Sequence, residues 1–187
     1  RIVTEYAKYK GVQGDIKAFV AKPAGAKGKL PGVVVIHENR GLNAHIEDVA
    51  RRAALAGYVA VAPDGLSAAG GAPQDQEQAR DLFGKTDPMV IATDVLGAVP
   101  YLASRNDANG KIGVVGFCYG GSMSLQAAVH RAETNASVCL YGGAPKPEDV
   151  AKIKAPLCLH YAGSDERVNA GIADFRKSLD EHGVAYS

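Results

Sequence analysis

The clearest candidate for chemistry in this sequence is a cysteine flanked by glycines. The segment from Gly116 to Gly121 places Cys118 between a short apolar run and a run with helical character. Its spacing is that of the G-x-S-x-G nucleophile elbow, with cysteine in the serine position. A helix that begins directly after the sulfur offers free N–H groups and a positive dipole end, which favour the thiolate. A buried structural cysteine is the alternative, but the strand before and the helix after favour a nucleophile.

Two acidic residues stand where strands are predicted to end. Glu38 follows the run Val33 to Ile36, and Asp165 follows the run Pro156 to Tyr161. Asp165 comes after the elbow in the chain, which is the order of nucleophile and acid in catalytic triads built on such elbows. Simpler roles stay open, because Glu38 could pair with Arg40 and Asp165 could be a turn residue.

The other cysteines and the histidines are assigned structural places. Cys139 and Cys158 alternate with apolar residues inside predicted strands, which predicts core positions. His160 lies in a predicted strand and is expected to be buried, whereas His37 lies at a strand end near the proposed site. Three further histidines are predicted on helix surfaces: His45, His130 and His182.

Strand-like and helix-like segments that alternate along the chain must position these residues. The predicted strands are Val33 to Ile36, Tyr58 to Ala62, Lys111 to Gly116, Ser137 to Tyr141, Pro156 to Tyr161 and a last one beginning at Val184. The predicted helices are Asn43 to Ala56, Gln74 to Gly84, Asp87 to Arg105 with a kink or early stop at Pro100, Ser122 to Arg131, and Asn169 to His182. This alternation predicts one α/β domain over residues 1–187, with a mostly parallel sheet and helices on both faces.

Composition excludes several classes of function. Of 187 residues, 21 are Lys or Arg and 20 are Asp or Glu, without a basic run, which argues against a nucleic-acid or membrane-surface role. The uncharged stretch Ile112 to Val129 is too rich in glycine and polar residues for a membrane span. Three cysteines are too few for a disulfide framework and favour the cytoplasm, while a chain that starts at Arg1 leaves export open.

Four motifs in this order resemble the dienelactone hydrolases (carboxymethylenebutenolidases), which are cysteine members of the α/β-hydrolase fold. The resemblance extends from about Gly14 to the end of the chain. The motifs are His37-Glu38-Asn39-Arg40-Gly41, Ala62-Pro63-Asp64, Gly116 to Gly121, and Ala162-Gly163-Ser164-Asp165.

The resemblance implies a role for each matching residue. Cys118 would be the nucleophile, Asp165 the acid of the triad, and Glu38 the glutamate that tunes the protonation of the cysteine. The backbone N–H groups of Asn39 and Tyr119 would form the oxyanion hole. The implied reaction is hydrolysis of a small ester or lactone through an acyl-enzyme thioester, without a metal or organic cofactor. Monomer and homodimer both stay open.

Substrate specificity is less well defined by these residues. Members of the family bind a substrate carboxylate with arginine, and here Asp81 occupies that position with Arg80 one residue away. A shift of one residue turns a helical side chain by about 100°. We therefore expect ester or lactone hydrolysis, with Arg80 as a candidate for substrate binding. The alternatives are a catalytically silent hydrolase-fold binding protein and a thiol-redox protein, which needs a resolving cysteine close to Cys118.

The resemblance also implies a histidine in the loop after the final core strand. That strand is predicted to begin at Val184, and the sequence stops at Ser187. No histidine follows Asp165 at a loop position. We therefore expect a C-terminally incomplete hydrolase domain, with one sheet face lacking its covering helix. We expect a chain that ends at Ser187 to be inactive towards simple esters, and an extension through the missing loop to restore activity.

Overall fold

A seven-stranded sheet runs through the computed structural model, which describes residues 1–187. The strands are β1 Ile2–Lys10, β2 Asp15–Pro23, β3 Leu30–Ile36, β4 Val59–Pro63, β5 Ala108–Phe117, β6 Thr134–Leu140 and β7 Leu157–His160. Their order in the sheet is β1-β2-β4-β3-β5-β6-β7. The β1–β2 and β2–β4 pairs are antiparallel and the remaining pairs are parallel, so the predicted α/β class is confirmed.

Helices lie on both faces of this sheet, as the sequence predicts. They are α1 Ala44–Leu55, α2 Gln76–Lys85, α3 Pro88–Leu96, α4 Ala98–Ser104, α5 Tyr119–His130, α6 Glu166–Asn169 and α7 Ile172–Glu181. Helix α1 packs over β2, β3 and β4 on one face, while α4 and α5 pack over the centre of the other face. None of the helices has the length and apolar character needed to span a bilayer.

Local signals fix the bounds of α1. The side chain of Asn43 accepts a hydrogen bond from the N–H of Ile46 at 3.1 Å and caps the first turn. Ile46 and Ala50 are buried against the sheet. Gly57 follows the helix with φ of 101°, a conformation that favours glycine. The prediction of this helix is confirmed.

The predicted helix from Asp87 to Arg105 is broken, but at Gly97 and not at Pro100. The side chain of Asp87 caps α3, and Pro100 lies in the first turn of α4. A proline ring clashes with the carbonyl four residues earlier and offers no N–H to it. The effect of Pro100 therefore appears at Leu96 and Gly97. The predicted last helix, Asn169 to His182, corresponds to α7, which begins at Ile172, and the short α6 before it was not predicted.

Residues before β3 form a hairpin that the sequence analysis did not predict. Strands β1 and β2 pair from Ile2 with Pro23 to Lys10 with Asp15. Most side chains of β1 are exposed and several are charged, which suits an edge strand but gives no apolar alternation. At the opposite edge, the N–H of Leu157 donates to Ala185 O at 2.9 Å, so the last residues begin to pair with β7.

Candidate active site

Cys118 lies on a sharp turn between β5 and α5. Its backbone has φ of 55° and ψ of −112°, and its side chain is partly exposed. A Cβ on Gly116 would lie 1.8 Å from the carbonyl oxygen of Gly120, and a Cβ on Gly120 would lie 2.2 Å from the carbonyl oxygen of Ile36. Only glycine fits at either position. The backbone thus has the geometry of a nucleophile elbow, as the spacing of the motif predicts.

The loop after β3 lies directly against this elbow. Ile36 is in register with Gly116 across the β3–β5 pair. Tyr119 is the first residue of α5, so its N–H has no intrahelical acceptor. The N–H of Asn39 also makes no hydrogen bond to the backbone. These two N–H groups therefore lie on adjacent segments without a backbone acceptor, and the oxyanion hole that they would form stays a prediction.

Glu38 is held by a tyrosine that the sequence analysis did not single out. The hydroxyl of Tyr141 donates to Oε1 of Glu38 at 3.0 Å. Burial, the hydrogen bond to Glu38 and the charges of Glu38 and Cys118 raise the pKa of Tyr141 to about 12. The phenol therefore contacts Glu38 directly, and the charge of a Cys118 thiolate also acts on it. In the sequence, the Gly142-Gly143 pair after β6, the neighbour of the elbow strand, could have indicated that this loop makes a close contact.

His37 is a buried structural histidine. Its Nε2 accepts from the N–H of Gly65 at 2.9 Å, and its Nδ1 lies 2.6 Å from the carbonyl oxygen of Glu38. Burial lowers its pKa, so the ring is neutral and donates from Nδ1. Both nitrogens are used by the backbone. The ring also stacks on Tyr119, with centroids 6.3 Å apart.

Asp64 organises the loops around His37 and is a second residue that the sequence analysis did not assign. The residue is 3% exposed. Its Oδ1 accepts from the N–H groups of Leu42 at 3.3 Å and Leu66 at 3.1 Å, and its Oδ2 accepts from Ala72 at 2.8 Å. One carboxylate thus ties the loops after β3 and β4 together. The Ala62-Pro63-Asp64 motif was its signal.

Asp165 follows β7 at the same sheet edge as Cys118. Strands β5, β6 and β7 are parallel neighbours, so their carboxyl ends meet at one edge. The Oδ1 of Asp165 accepts from the N–H of Val168 at 3.0 Å and caps α6. No histidine is hydrogen-bonded to its carboxylate. The capping role is therefore observed, and the catalytic role stays a prediction.

Arg80 is exposed on α2 and pairs with its own helix. Its Nη1 lies 3.6 Å from Oε2 of Glu77. The other oxygen of Glu77 lies 3.6 Å from Nη2 of Arg40. Arg40 also donates to the side chain of Asn39 at 3.2 Å, so it is more closely tied to the predicted oxyanion loop than Arg80 is. Asp81 is exposed beside Arg80.

The expectation that His160 is buried is wrong. His160 is exposed, and its Nε2 lies 3.3 Å from Sγ of the partly exposed Cys158. The two side chains face the same side of β7, which no helix covers at this point. Cys139 is buried as predicted, and burial raises the pKa of its thiol to about 11. All three cysteines are free, and the three histidines predicted on helix surfaces are exposed: His45, His130 and His182.

Known proteins share this sequence pattern and this fold. A sequence model of the dienelactone hydrolase family matches residues 16–187. A protein of Escherichia coli (strain K12) named "Putative carboxymethylenebutenolidase" is 34% identical over 171 residues, which cover 83% of this chain and 63% of that protein. The chain thus spans less than two thirds of this curated relative.

Two solved structures support the same fold over the whole chain. The "Putative Dienelactone Hydrolase" from Klebsiella pneumoniae subsp. pneumoniae MGH 78578 is 23% identical, with a TM-score of 0.86 over 100% of this chain and 83% of that one. The dienelactone hydrolase-like promiscuous phosphotriesterase P91 from metagenomic libraries is also 23% identical, with a TM-score of 0.81 over 100% of this chain and 80% of that one.

Proposed function

The chain belongs to the dienelactone hydrolase family, and on that premise we propose that it hydrolyses an ester or lactone through a thioester formed on Cys118. The observation that carries the proposal is the elbow, in which Cys118 has φ of 55° between β5 and α5. A cysteine kept in a strained turn at a helix start, and partly exposed, is suited to nucleophilic attack.

The chemistry proceeds in two acyl-transfer steps. The Cys118 thiolate attacks the carbonyl carbon, and the N–H groups of Tyr119 and Asn39 donate to the oxyanion that develops. The carbonyl re-forms as the C–O bond breaks, the departing alkoxide takes the proton that the base removed from the Cys118 thiol, and the thioester remains. Water then attacks the thioester by the same route and releases the acid. Each oxyanion donor in such sites typically contributes about 3 kcal/mol to the transition state.

Asp165 is proposed as the acid that orients a base for these steps. Its place at the carboxyl edge of the sheet, after the elbow strand, supports this role. None of the five histidines in residues 1–187 is hydrogen-bonded to Cys118 or Asp165, and His37 uses both ring nitrogens on the backbone. The proposed triad therefore lacks its histidine within these residues.

Reaction with p-nitrophenyl acetate tests the proposal. Because residues 1–187 lack the proposed histidine, we expect acetylation with little turnover. Cys118→Ala should abolish the acetylation, whereas Cys158→Ala, which removes the other partly exposed thiol, should leave it unchanged. Trapping of the acetylated protein should place the added acetyl group on Cys118. Equal acetylation of Cys118→Ala and the unmodified protein would refute the cysteine mechanism. A chain without turnover or acetylation would be a binding protein that keeps the hydrolase fold.

A further inference from the structure

Tyr141 has a strained backbone that several contacts maintain. Its φ is 42°, which is unusual for a residue with a bulky side chain. Its N–H donates to the carbonyl oxygen of His160 at 2.8 Å. Backbone strain of this kind persists only where the surrounding structure enforces it, and it concentrates at functional sites.

The two glycines after Tyr141 anchor it to the helix of the elbow. A Cβ on Gly142 would lie 2.2 Å from the backbone nitrogen of Ser122, so this approach requires glycine. The N–H of Gly143 donates to Oγ of Ser122 at 2.8 Å. The loop after β6 is thereby fixed against α5 at Ser122, which follows Cys118 by four residues in the chain. These contacts leave the phenol little freedom to move.

The strained backbone directs the hydroxyl of Tyr141 to Glu38. The donor–acceptor distance to Oε1 is 3.0 Å, and both side chains are partly buried. Titratable groups around this pair are His37, which is neutral because burial lowers its pKa, and Cys118. Since the pKa of Tyr141 is raised to about 12, the phenol remains a hydrogen-bond donor over the whole neutral range.

We propose that Tyr141 is a positioning residue that holds the Glu38 carboxylate and moderates its charge beside the Cys118 thiol. The inference rests on the proposed nucleophilic role of Cys118. One oxygen of Glu38 binds the phenol, which fixes the carboxylate and draws part of its negative charge away from the sulfur. A less repulsive carboxylate makes the thiolate easier to form. Without the hydroxyl, the thiol should react more slowly with an alkylating agent at neutral pH.

Alkylation of Cys118 by iodoacetamide measures this effect without any need for turnover. The parent protein carries Cys158→Ser, because Cys139 is buried and Cys118 is then the only accessible thiol. Rates are followed by mass spectrometry from about pH 5 to about pH 10 in the parent, Tyr141→Phe, Glu38→Gln and the double variant. Tyr161→Phe is the matched control, since it removes another partly buried phenol hydroxyl that has no hydrogen bond to Glu38.

Tyr141→Phe should slow alkylation near neutral pH by about threefold and move its pH profile upward by about half a unit. Glu38→Gln should speed alkylation, and in that background Tyr141→Phe should have no effect. Tyr161→Phe should match the parent. The inference would be overturned if Tyr141→Phe had the same effect in the parent and in the Glu38→Gln variant, or no effect in either. Failure of the proposed function is separate, because it would appear as hydrolysis that survives Cys118→Ala.

Discussion

The backbone N–H of Gly65 donates to Nε2 of His37 at 2.9 Å, so this ring nitrogen already has a hydrogen-bond partner. Its Nδ1 is directed to the carbonyl oxygen of Glu38. The ring therefore joins the loop after β3 to the loop after β4. It positions the segment that carries Glu38 and Asn39, and it has no free nitrogen with which to accept a proton from Cys118.

Replacement of His37 should act on stability. His37→Phe keeps a buried aromatic ring but leaves the N–H of Gly65 without an acceptor. We expect the free energy of unfolding in urea to fall by about 2 kcal/mol. His130→Phe is the control, because His130 is exposed at the end of α5 and should change stability little. Unchanged unfolding of His37→Phe would show that water replaces the lost hydrogen bonds at no cost.

Gly116→Ala should prevent the elbow from forming. The new methyl group would lie 1.8 Å from the carbonyl oxygen of Gly120, and backbone atoms cannot yield by the required distance. We expect a loss of more than about 3 kcal/mol in the free energy of unfolding. Gly84→Ala on α2 is the matched control, because its Cβ would meet nothing within 4 Å. Since alanine favours helix, that variant should gain about 0.5 kcal/mol. Equal stability of the two variants would contradict the elbow geometry.

Local patterns in the sequence were sufficient to predict the elbow and α1. The glycines around Cys118 and the Asn43 cap express constraints that act within a few residues. The hairpin of β1 and β2 escaped prediction because β1 is an exposed edge strand, whose stability comes from pairing and not from an apolar pattern. The prediction that His160 is buried rested only on its position in a strand. A strand residue is buried only where a helix covers its face of the sheet, and none covers this side of β7 at His160.

The contacts made by Tyr141 could not be predicted from local patterns. Its hydrogen bond to Glu38 joins residues 103 positions apart in the chain. That contact depends on the neighbouring positions of β3, β5 and β6 in the sheet and on a φ of 42°. Residue type indicates neither condition. The motif containing Asp64 was visible, but its three backbone donors come from loops that only the fold brings together.

Stability at acidic pH should depend on the ion pairs of Asp107. Hydrogen bonds from Arg105 at 2.9 Å and from Lys22 at 2.7 Å hold the pKa of Asp107 well below its usual range. A lowered folded-state pKa stabilises the protein above the unfolded-state pKa of about 4, and this contribution is lost as the pH falls below it. Asp107→Asn should therefore lower the free energy of unfolding at neutral pH by about 1 kcal/mol, because the group is partly exposed and screened.

Urea unfolding at several pH values checks this dependence on Asp107. The difference between the unmodified protein and Asp107→Asn should be full near neutral pH and should shrink as the pH falls from about 4 towards 2. Asp48→Asn is the control, since Asp48 pairs with Arg52 on the exposed surface of α1 and should change stability less. A difference that stays constant over the whole range would exclude Asp107 titration as its cause.

Free imidazole should accelerate ester hydrolysis by residues 1–187. A thiolate that lacks its base can still be acetylated by p-nitrophenyl acetate, because p-nitrophenolate leaves without a proton. Activation of the water that attacks the thioester is slow, because loss of one triad member can cost as much as loss of all. A small base in solution can substitute where no side chain reaches the sulfur. We therefore expect a rapid acetylation of Cys118, followed by slow turnover of p-nitrophenyl acetate that imidazole raises by about tenfold or more. Cys118→Ala in the same buffer corrects for direct hydrolysis by imidazole.

Fast turnover that imidazole leaves unchanged would mean that the base lies within these residues. His45 would then be the first to substitute, because its ring packs on Phe117 with centroids 5.8 Å apart, directly before the nucleophile.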